Sequence, residues 1–182
     1  MKKENIEIVQ KGETVLRETA RNIDIDEISS PKIQKIIANM KTALAEQEDG
    51  VAIAAPQIGV PLRIFVVSKR ADIIMKGIES ITEEEMNKLE DPVYINPEIK
   101  KISRQKSLVD EGCLSVRYLY GKVERAEKTT VTAYDENGKK FTKGGSGLLA
   151  QIFQHEIDHL NGILFIDKAD DIVEVLPSKN DK

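Results

Sequence analysis

The only two histidines of the chain lie four residues apart, and a glutamate directly follows the first: His155, Glu156 and His159. Residues i and i+4 of an α-helix lie one turn apart on the same face, so both imidazoles can reach one metal ion. Glu156 is close enough to take a proton from a metal-activated water. Two histidines placed at random would fall four apart about one time in a hundred, which disfavours two unrelated histidines, one exposed and one buried. The pattern therefore predicts a helix that carries a metal site.

This helix has an apolar face, which indicates that it packs into the core of the protein. The face is formed by residues at helical spacing: Leu148, Leu149, Ile152, Phe153 and Leu160. A Gly-Gly-Ser-Gly sequence at 144–147 predicts a break in the chain before the helix. We therefore expect the helix to begin near residue 148.

The other helices and strands do not alternate strictly along the chain, which favours an α+β fold. Ser30 and Pro31 predict the start of a long amphipathic helix that ends near Glu48, and a shorter helix is predicted at 14–20. Strands are predicted at 63–68, 93–100, 102–108 and 163–166, together with a hairpin formed by 129–134 and 139–142.

The length of 182 residues predicts a single domain over residues 1–182. The acidic and irregular segment at 71–91 is interpreted as a surface insertion with one short helix, because Thr82 and Glu85 form a capping-box pattern. Residues 177–182 are expected to form a flexible tail.

Charge and cysteine content exclude several classes of protein. The 27 basic and 31 acidic residues give a net charge of −4, so no excess of Lys and Arg can neutralise nucleic-acid phosphates. No apolar run approaches the roughly 18 residues of a membrane helix, and the N-terminus lacks the apolar stretch of a signal peptide. Cys113 is the single cysteine, so no internal disulfide can form, and a reducing, cytoplasmic location is the simplest interpretation.

A catalytic metal that keeps one position open for water needs a third protein ligand besides the two histidines. Downstream, Phe165 occupies the position at which metzincin proteases have their third histidine ligand. Thermolysin-like proteases instead use a glutamate on a further helix, but Glu174 lies in a short segment without a convincing helix. Upstream, Cys113 in Glu-Gly-Cys-Leu-Ser is the main candidate, although a lone cysteine is more often a small buried hydrophobe.

Residues 50–57 form a run of small and apolar residues that ends in the amide of Gln57. Such a run lets a ligand or another backbone approach closely, and a glutamine beside a metal can donate a hydrogen bond to a developing oxyanion. Taken alone, the run is more often a tightly packed strand and turn.

Together, three segments resemble the peptide deformylase family. The family carries Gly-x-Gly-x-Ala-Ala-x-Gln, Glu-Gly-Cys-x-Ser and Gln-His-Glu-x-x-Asp-His in this order, and the chain has matching segments at 50–57, 111–115 and 154–159. Two positions depart from the family pattern: Ala52 stands where a second glycine is usual, and Arg117 stands where a proline is common. Any one motif is only suggestive, but three in order are highly specific.

The resemblance implies a fold in which mixed or antiparallel strands wrap around the helix that carries the two histidines. It also implies that Cys113, His155 and His159 bind one divalent metal ion. The family favours Fe²⁺ as the native ion, with Ni²⁺, Co²⁺ or Zn²⁺ as substitutes, and ligand chemistry alone also allows Zn²⁺.

The reaction implied by the resemblance is hydrolysis of the N-formyl group on the initiator methionine of a new polypeptide, with release of formate. Glu156 would take the proton of the attacking water and pass it to the leaving amine. The side chain of Gln57 and the backbone N–H of Leu114 would stabilise the oxyanion.

The resemblance further implies that an extended peptide binds by strand addition. The peptide would pair with the backbone of a short segment: Gly50, Val51, Ala52 and Ile53. An apolar pocket would take the methionine side chain, formed by Val51, Leu148 and Ile152, although the last two are as readily ordinary core residues.

Supporting contacts and partners are implied in the same way. Gln154 and Asp158 would order the helix, and Asp49 would pair with Arg125 to brace the glycine segment. The partners would be N-formyl-methionyl peptides and nascent chains, which allows a transient contact with the ribosome. No membrane partner and no specific nucleic-acid binding are expected.

Two other functions remain open from the sequence. A zinc endopeptidase would need no metal role for Cys113 and would cleave internal peptide bonds. A metal-stabilised binding protein without turnover would result if the methyl group of Ala52 narrowed the cleft.

Overall fold

The strands of the protein form two antiparallel sheets. The computed structural model describes residues 6–78 and 80–176. Within these ranges the strands are β1 Ala52–Ala54, β2 Ile64–Val67, β3 Val93–Ile102, β4 Lys106–Cys113, β5 Val116–Ala126, β6 Lys128–Tyr134, β7 Lys140–Ser146 and β8 Asp170–Glu174. The five-stranded sheet has the order β1-β2-β3-β6-β7, and the three-stranded sheet has the order β4-β5-β8. Strand β1 is therefore an edge strand.

The described ranges also contain four α-helices: α1 Pro31–Ala45, α2 Lys69–Lys76, α3 Glu83–Asn87 and α4 Leu148–Leu160. Buried side chains of α1 share one core cluster with Ile53, Ile64 and Ile95 of the five-stranded sheet. Buried side chains of α4 share a second cluster with Phe65 and Tyr94 of the same strands. The sheet is thus covered on both faces, which explains why all four residues of β2 are apolar and buried. The α+β fold and the central position of α4 are confirmed.

Helix α1 begins as its sequence predicts. The hydroxyl of Ser30 accepts a hydrogen bond from the backbone N–H of Ile33 at 3.4 Å, and Pro31 occupies the first helical position. The helix ends at Ala45, three residues before the predicted end. The predicted helix at 14–20 is wrong, because this segment forms only a 3₁₀ turn at Thr14–Arg17.

The predicted closing strand at 163–166 is also wrong. The carboxylate of Asp167 accepts a hydrogen bond from the backbone N–H of Leu164 at 2.9 Å, and this contact holds a 3₁₀ turn at Phe165–Asp167. Phe165 is buried in a third core cluster beneath the three-stranded sheet. The apolar run is therefore a buried turn, and the last strand is β8.

The hairpin of β6 and β7 is confirmed, with Tyr134 paired to Lys140 next to the turn. The predicted break at 144–147 is confirmed only at Gly147, because β7 continues to Ser146. Gly147 has φ 54°, a left-handed conformation that glycine adopts without a steric penalty, and α4 begins at the next residue. Strand β5 was not predicted, and the loop between β3 and β4 lies at 103–105, slightly later than expected.

The segment at 71–91 contains most of α2 and all of α3. Thr82 and Glu85 form the predicted capping box at the start of α3, whereas α2 was not predicted. The interpretation of this segment as an insertion stays a prediction, and the predicted tail at 177–182 lies outside the described residues. None of the helices in the described ranges has the length and apolar character needed to cross a membrane.

Candidate active site

Two elements bring the predicted metal ligands together. Cys113 is the last residue of β4, and His155 and His159 lie one turn apart on α4. One ligand atom from each residue lies within 4.8 Å of the other two, and the distance from Cys113 Sγ to His159 Nε2 is 3.2 Å. A thiolate and two imidazoles are typical ligands of a divalent transition metal. The residues present therefore fit one metal ion.

A buried carboxylate orients the first histidine. Glu111 Oε2 lies 2.9 Å from His155 Nδ1, so Nε2 is the nitrogen left for a metal. Arg125 donates to both oxygens of Glu111 at 2.6 and 2.9 Å and to Asp158 at 2.6 Å. Lys168 pairs with Asp158 at the protein surface. His155 is thus connected to the protein surface through side chains of alternating charge: Glu111, Arg125, Asp158 and Lys168.

The expected ion pair between Asp49 and Arg125 is wrong. Arg125 is buried and bound to Glu111 and Asp158, whereas Asp49 pairs with Arg117 at 2.9 Å. Gln154 supports α4 as expected, because its amide exchanges two hydrogen bonds of 3.0 Å with the backbone of Ala126.

The electrostatics of the site favour a thiolate. Burial opposes ionisation of Cys113, but the two histidines, His159 first, lower the pKa of the thiol to about 5. Burial also opposes ionisation of Glu111, but hydrogen bonds from His155 and Arg125 lower the pKa of this carboxyl to about 2. The geometry and the charges thus both suit a metal-binding cysteine.

Glu156 lies between the two histidines in sequence and lines the cleft described below. Its side chain is buried, and this burial raises the pKa of the carboxyl to about 7. Among the described residues, no hydrogen-bond partner reaches Glu156 Oε2. The carboxyl therefore has a free oxygen beside the candidate metal ligands.

The Gln57 side chain is held in a fixed orientation. Its Oε1 accepts a hydrogen bond from the backbone N–H of Ala54 at 2.8 Å, and its Nε2 lies 3.6 Å from Cys113 Sγ. The backbone carbonyl of Gln57 accepts from the N–H of Val9 at 2.9 Å. Gln10 Nε2 donates to the carbonyl of Leu114 at 3.0 Å, so the N-terminal segment contacts both predicted oxyanion residues.

A cleft of about 320 Å³ opens beside these residues. It is lined by nearly all of the predicted substrate-binding residues: Gly50, Val51, Ala52, Leu148 and Ile152. The side chain of Ile53 is fully buried and points into the core cluster shared with α1, because successive side chains of a strand alternate between its faces. Only the backbone of Ile53 is available for the predicted pairing.

Several residues that line the cleft were missed by sequence reasoning: Asp110, Arg117, Tyr118, Tyr120 and Gln151. Three of them belong to β5, the strand that was not predicted. The available signal was a partial alternation of apolar and polar residues along this strand, but glycine and charged residues interrupt it.

The buried ion pair between Arg125 and Glu111 predicts a large effect on stability. Replacing Arg125 with methionine leaves two carboxylates without their shared partner, and loss of one partner of a buried pair typically costs about 3–5 kcal/mol. Urea unfolding of the metal-loaded protein measures this loss. Lys168→Met, at the exposed end of the same network, should cost less than about 1 kcal/mol. Equal effects of the two substitutions would contradict the prediction.

A cysteine, two histidines and a buried glutamate beside an open cleft are features of a metal-dependent hydrolase. The family model described as Polypeptide deformylase matches residues 6–174. The chain belongs to the peptide deformylase family.

Individual relatives agree with this assignment. Peptide deformylase 1A, chloroplastic/mitochondrial, of Arabidopsis thaliana is 45% identical over 163 residues, which are 89% of this chain and 60% of that protein. A peptide deformylase of Carboxydothermus hydrogenoformans is 43% identical over 166 residues, which are 91% and 94% of the two chains. The chain thus spans about three fifths of the plant relatives but nearly all of this bacterial one.

A solved structure shows the same fold. The Met-Ala-Ser-bound crystal structure of a class I type b peptide deformylase from Acinetobacter baumannii superposes with a TM-score of 0.75 at 32% sequence identity. The match covers 90% of this chain and 97% of that one.

Proposed function

We propose that the protein removes the N-formyl group from the N-terminal formyl-methionine of newly made polypeptides and releases formate. One observation carries this proposal: Cys113, His155 and His159 converge beside Glu156 in an open cleft. Family membership supports the choice of substrate.

The three ligand residues would hold one divalent metal ion, for which we propose Fe²⁺ in the cell, with Zn²⁺, Ni²⁺ or Co²⁺ as substitutes. A bound ion would supply Lewis acidity for the formyl carbonyl and for the attacking water. Metal analysis of protein purified without oxygen tests this assignment, and zinc at full occupancy with no iron would contradict it.

Glu156 would move the proton. Its carboxylate has a free oxygen beside the ligand residues, so it can take a proton from the attacking water and pass it to the leaving amine nitrogen. A carboxyl whose pKa lies near neutrality is suited to both steps.

Gln57 and Leu114 would stabilise the negative charge that develops on the formyl oxygen. The side-chain oxygen Oε1 of Gln57 is occupied by the backbone N–H of Ala54, which leaves the side-chain NH₂ directed towards Cys113. Leu114 follows Cys113 directly, so its backbone N–H lies at the same end of the cleft. Donors fixed before the reaction lower its barrier because they need no reorganisation.

The peptide would bind beside β1. This strand pairs only with β2 within the five-stranded sheet, and Val51 and Ala52 line the cleft. An extended peptide can therefore add at the open edge through backbone hydrogen bonds. Val51, Leu148 and Ile152 provide apolar surface for the methionine side chain.

One assay separates the three functions that the sequence left open. Purified, metal-loaded protein is incubated with formyl-Met-Ala and, separately, with an unblocked protein. We expect formate from the first and no cleavage of the second. Cleavage of the protein would indicate an endopeptidase, and no turnover of either would indicate a metal-stabilised binding protein.

Gln57 offers a specific test of the oxyanion proposal. Gln57→Leu should lower kcat by about 10²–10³-fold with little change in KM, because the donor acts mainly in the transition state. Steady-state kinetics with formyl-Met-Ala measures both constants. An increase in KM with unchanged kcat would instead make Gln57 a substrate-positioning residue.

We also propose a cytoplasmic location with nascent chains as the natural substrate, and a transient contact with the ribosome. The single, unpaired cysteine supports a reducing compartment. Fractionation of cells and co-sedimentation with ribosomes test these proposals.

A further inference from the structure

Arg117, one of the two departures from the family pattern, makes contacts across the cleft. It is the second residue of β5 and lines the cleft. Its Nη1 donates to Asp49 Oδ2 at 2.9 Å, and its Nη2 donates to Gln47 Oε1. One guanidinium therefore connects the β4–β5 hairpin to the segment at 46–49 that follows α1.

A second arginine holds the same segment through its backbone. Arg70 of α2 donates to the backbone carbonyls of Ala45 at 2.9 Å and Glu48 at 3.2 Å. It also donates to the carbonyl of Gln47. Arg70 thus fixes the backbone at the end of α1, whereas Arg117 fixes two side chains of the same segment.

This segment leads directly into one wall of the cleft. Residues 49–52 form that wall, and residues 110–114 and 116–120 of the hairpin form a second one. The two walls meet closely at Gly50, where an added Cβ would lie 3.0 Å from Leu44 Cδ1 and 3.4 Å from Leu114 Cδ1. A shift of the 46–49 segment would therefore move the edge at which we expect the peptide to pair.

We propose that Arg117 is a positioning residue for peptide binding, which sets the separation of the two cleft walls through Asp49 and Gln47. This inference rests on the proposed function. The fork of the guanidinium can bind two acceptors at once, whereas a lysine ammonium acts as a point charge on a flexible chain. The ion pair is partly exposed, with 60% of the Asp49 side chain accessible, so it contributes little to stability.

The effect of Arg117 should depend on the length of the substrate. N-formyl-methionine amide carries almost no backbone beyond the methionine, whereas formyl-Met-Ala-Ser can pair along residues 50–53. We expect Arg117→Ala to raise KM for the longer peptide about tenfold, with kcat changed less than about twofold. KM for the amide should change less than about twofold. Binding of the product-like peptide Met-Ala-Ser, measured by calorimetry, should weaken by a similar factor.

Further variants identify the contacts through which Arg117 acts. Arg117→Lys should restore part of the loss, and Asp49→Asn should reproduce part of it. The double variant Arg117→Ala/Asp49→Asn should be no worse than Arg117→Ala alone, because both substitutions break the same contact. Lys106→Met, which breaks the exposed pair with Glu124 on the same hairpin, is the matched control and should change nothing.

The outcomes are distinct. An equal loss on both substrates, a fall in kcat with unchanged KM, or additive effects of the two substitutions would overturn the proposal. If Arg117→Ala does not fold, KM for the two substrates is compared in Arg117→Lys and Asp49→Asn instead. Absence of formate from both substrates with the unmodified protein would instead overturn the proposed function, and this proposal with it.

Discussion

Replacing Glu156 with alanine is expected to reduce formate release by about 10²–10⁴-fold or more, while metal stays bound. Glu156 is not one of the three convergent ligand residues, so its removal leaves the metal site intact. Among the described residues, nothing donates a hydrogen bond to Oε2 of Glu156, so the substitution breaks no hydrogen bond at that oxygen. Single-turnover kinetics with formyl-Met-Ala and metal analysis of the same sample test both parts of this prediction.

Glu156→Gln is the matched variant, because it keeps the shape of the side chain but cannot accept and return a proton in the same way. It should be as inactive as Glu156→Ala and should retain the same metal content. Near-normal turnover of either variant would exclude a proton-transfer role for Glu156. Loss of metal from both variants would show that this carboxyl acts as a ligand.

The half of the site that lies on α4 could be predicted from residue spacing alone. His155 and His159 are brought together by the helical repeat, and the apolar face around them indicated how the helix packs. Cys113 is 46 residues away from His159, and no local rule relates the two. Its assignment depended on the resemblance of three motifs, and the structure places its sulfur beside the histidines.

The contacts that support the site could not be predicted, because they depend on how β4 pairs with β5. Arg125 was expected to pair with Asp49, but its side chain binds Glu111 on the neighbouring strand instead, four positions along β4 from its register partner Ser107. Strand β5 itself was not recognised, since Gly121 and several charged residues interrupt its pattern. Tyr118 also has φ 68°, which an extended strand does not predict.

Apolar composition alone also misled the prediction at 163–166. Leu164 and Phe165 are buried, as an apolar run suggests, but a hydrogen bond from the backbone N–H of Leu164 to the Asp167 carboxylate holds the backbone in a turn. A buried strand and a buried turn of four residues have the same hydrophobic pattern. The hydrogen bond between Leu164 and Asp167 therefore decides that the segment forms a turn, and the hydrophobic pattern does not reveal this contact.

Cys113→Ser should remove most of the metal, because a neutral hydroxyl is a poor ligand beside two imidazoles. The thiol is already poised to ionise, since the two histidines hold its pKa at about 5 against the effect of burial. Metal content after gel filtration measures the loss, and circular dichroism shows whether the variant is folded. Formate release should fall in parallel with occupancy.

Cys113→Asp separates the charge of the ligand from its sulfur. A carboxylate can still bind a divalent ion, so this variant should retain more metal than Cys113→Ser while its turnover stays well below that of the unmodified protein.

The sulfur of Cys113 should also make the protein sensitive to oxidation: peroxide should inactivate the iron-loaded protein faster than the zinc-loaded or nickel-loaded protein. An inert buried cysteine predicts the opposite, with full metal occupancy in Cys113→Ser and only a small loss of stability. The metal content of Cys113→Ser therefore distinguishes a metal-binding thiolate from an inert cysteine. The same measurement tests the endopeptidase alternative, because an endopeptidase that took its third ligand elsewhere would also keep its metal.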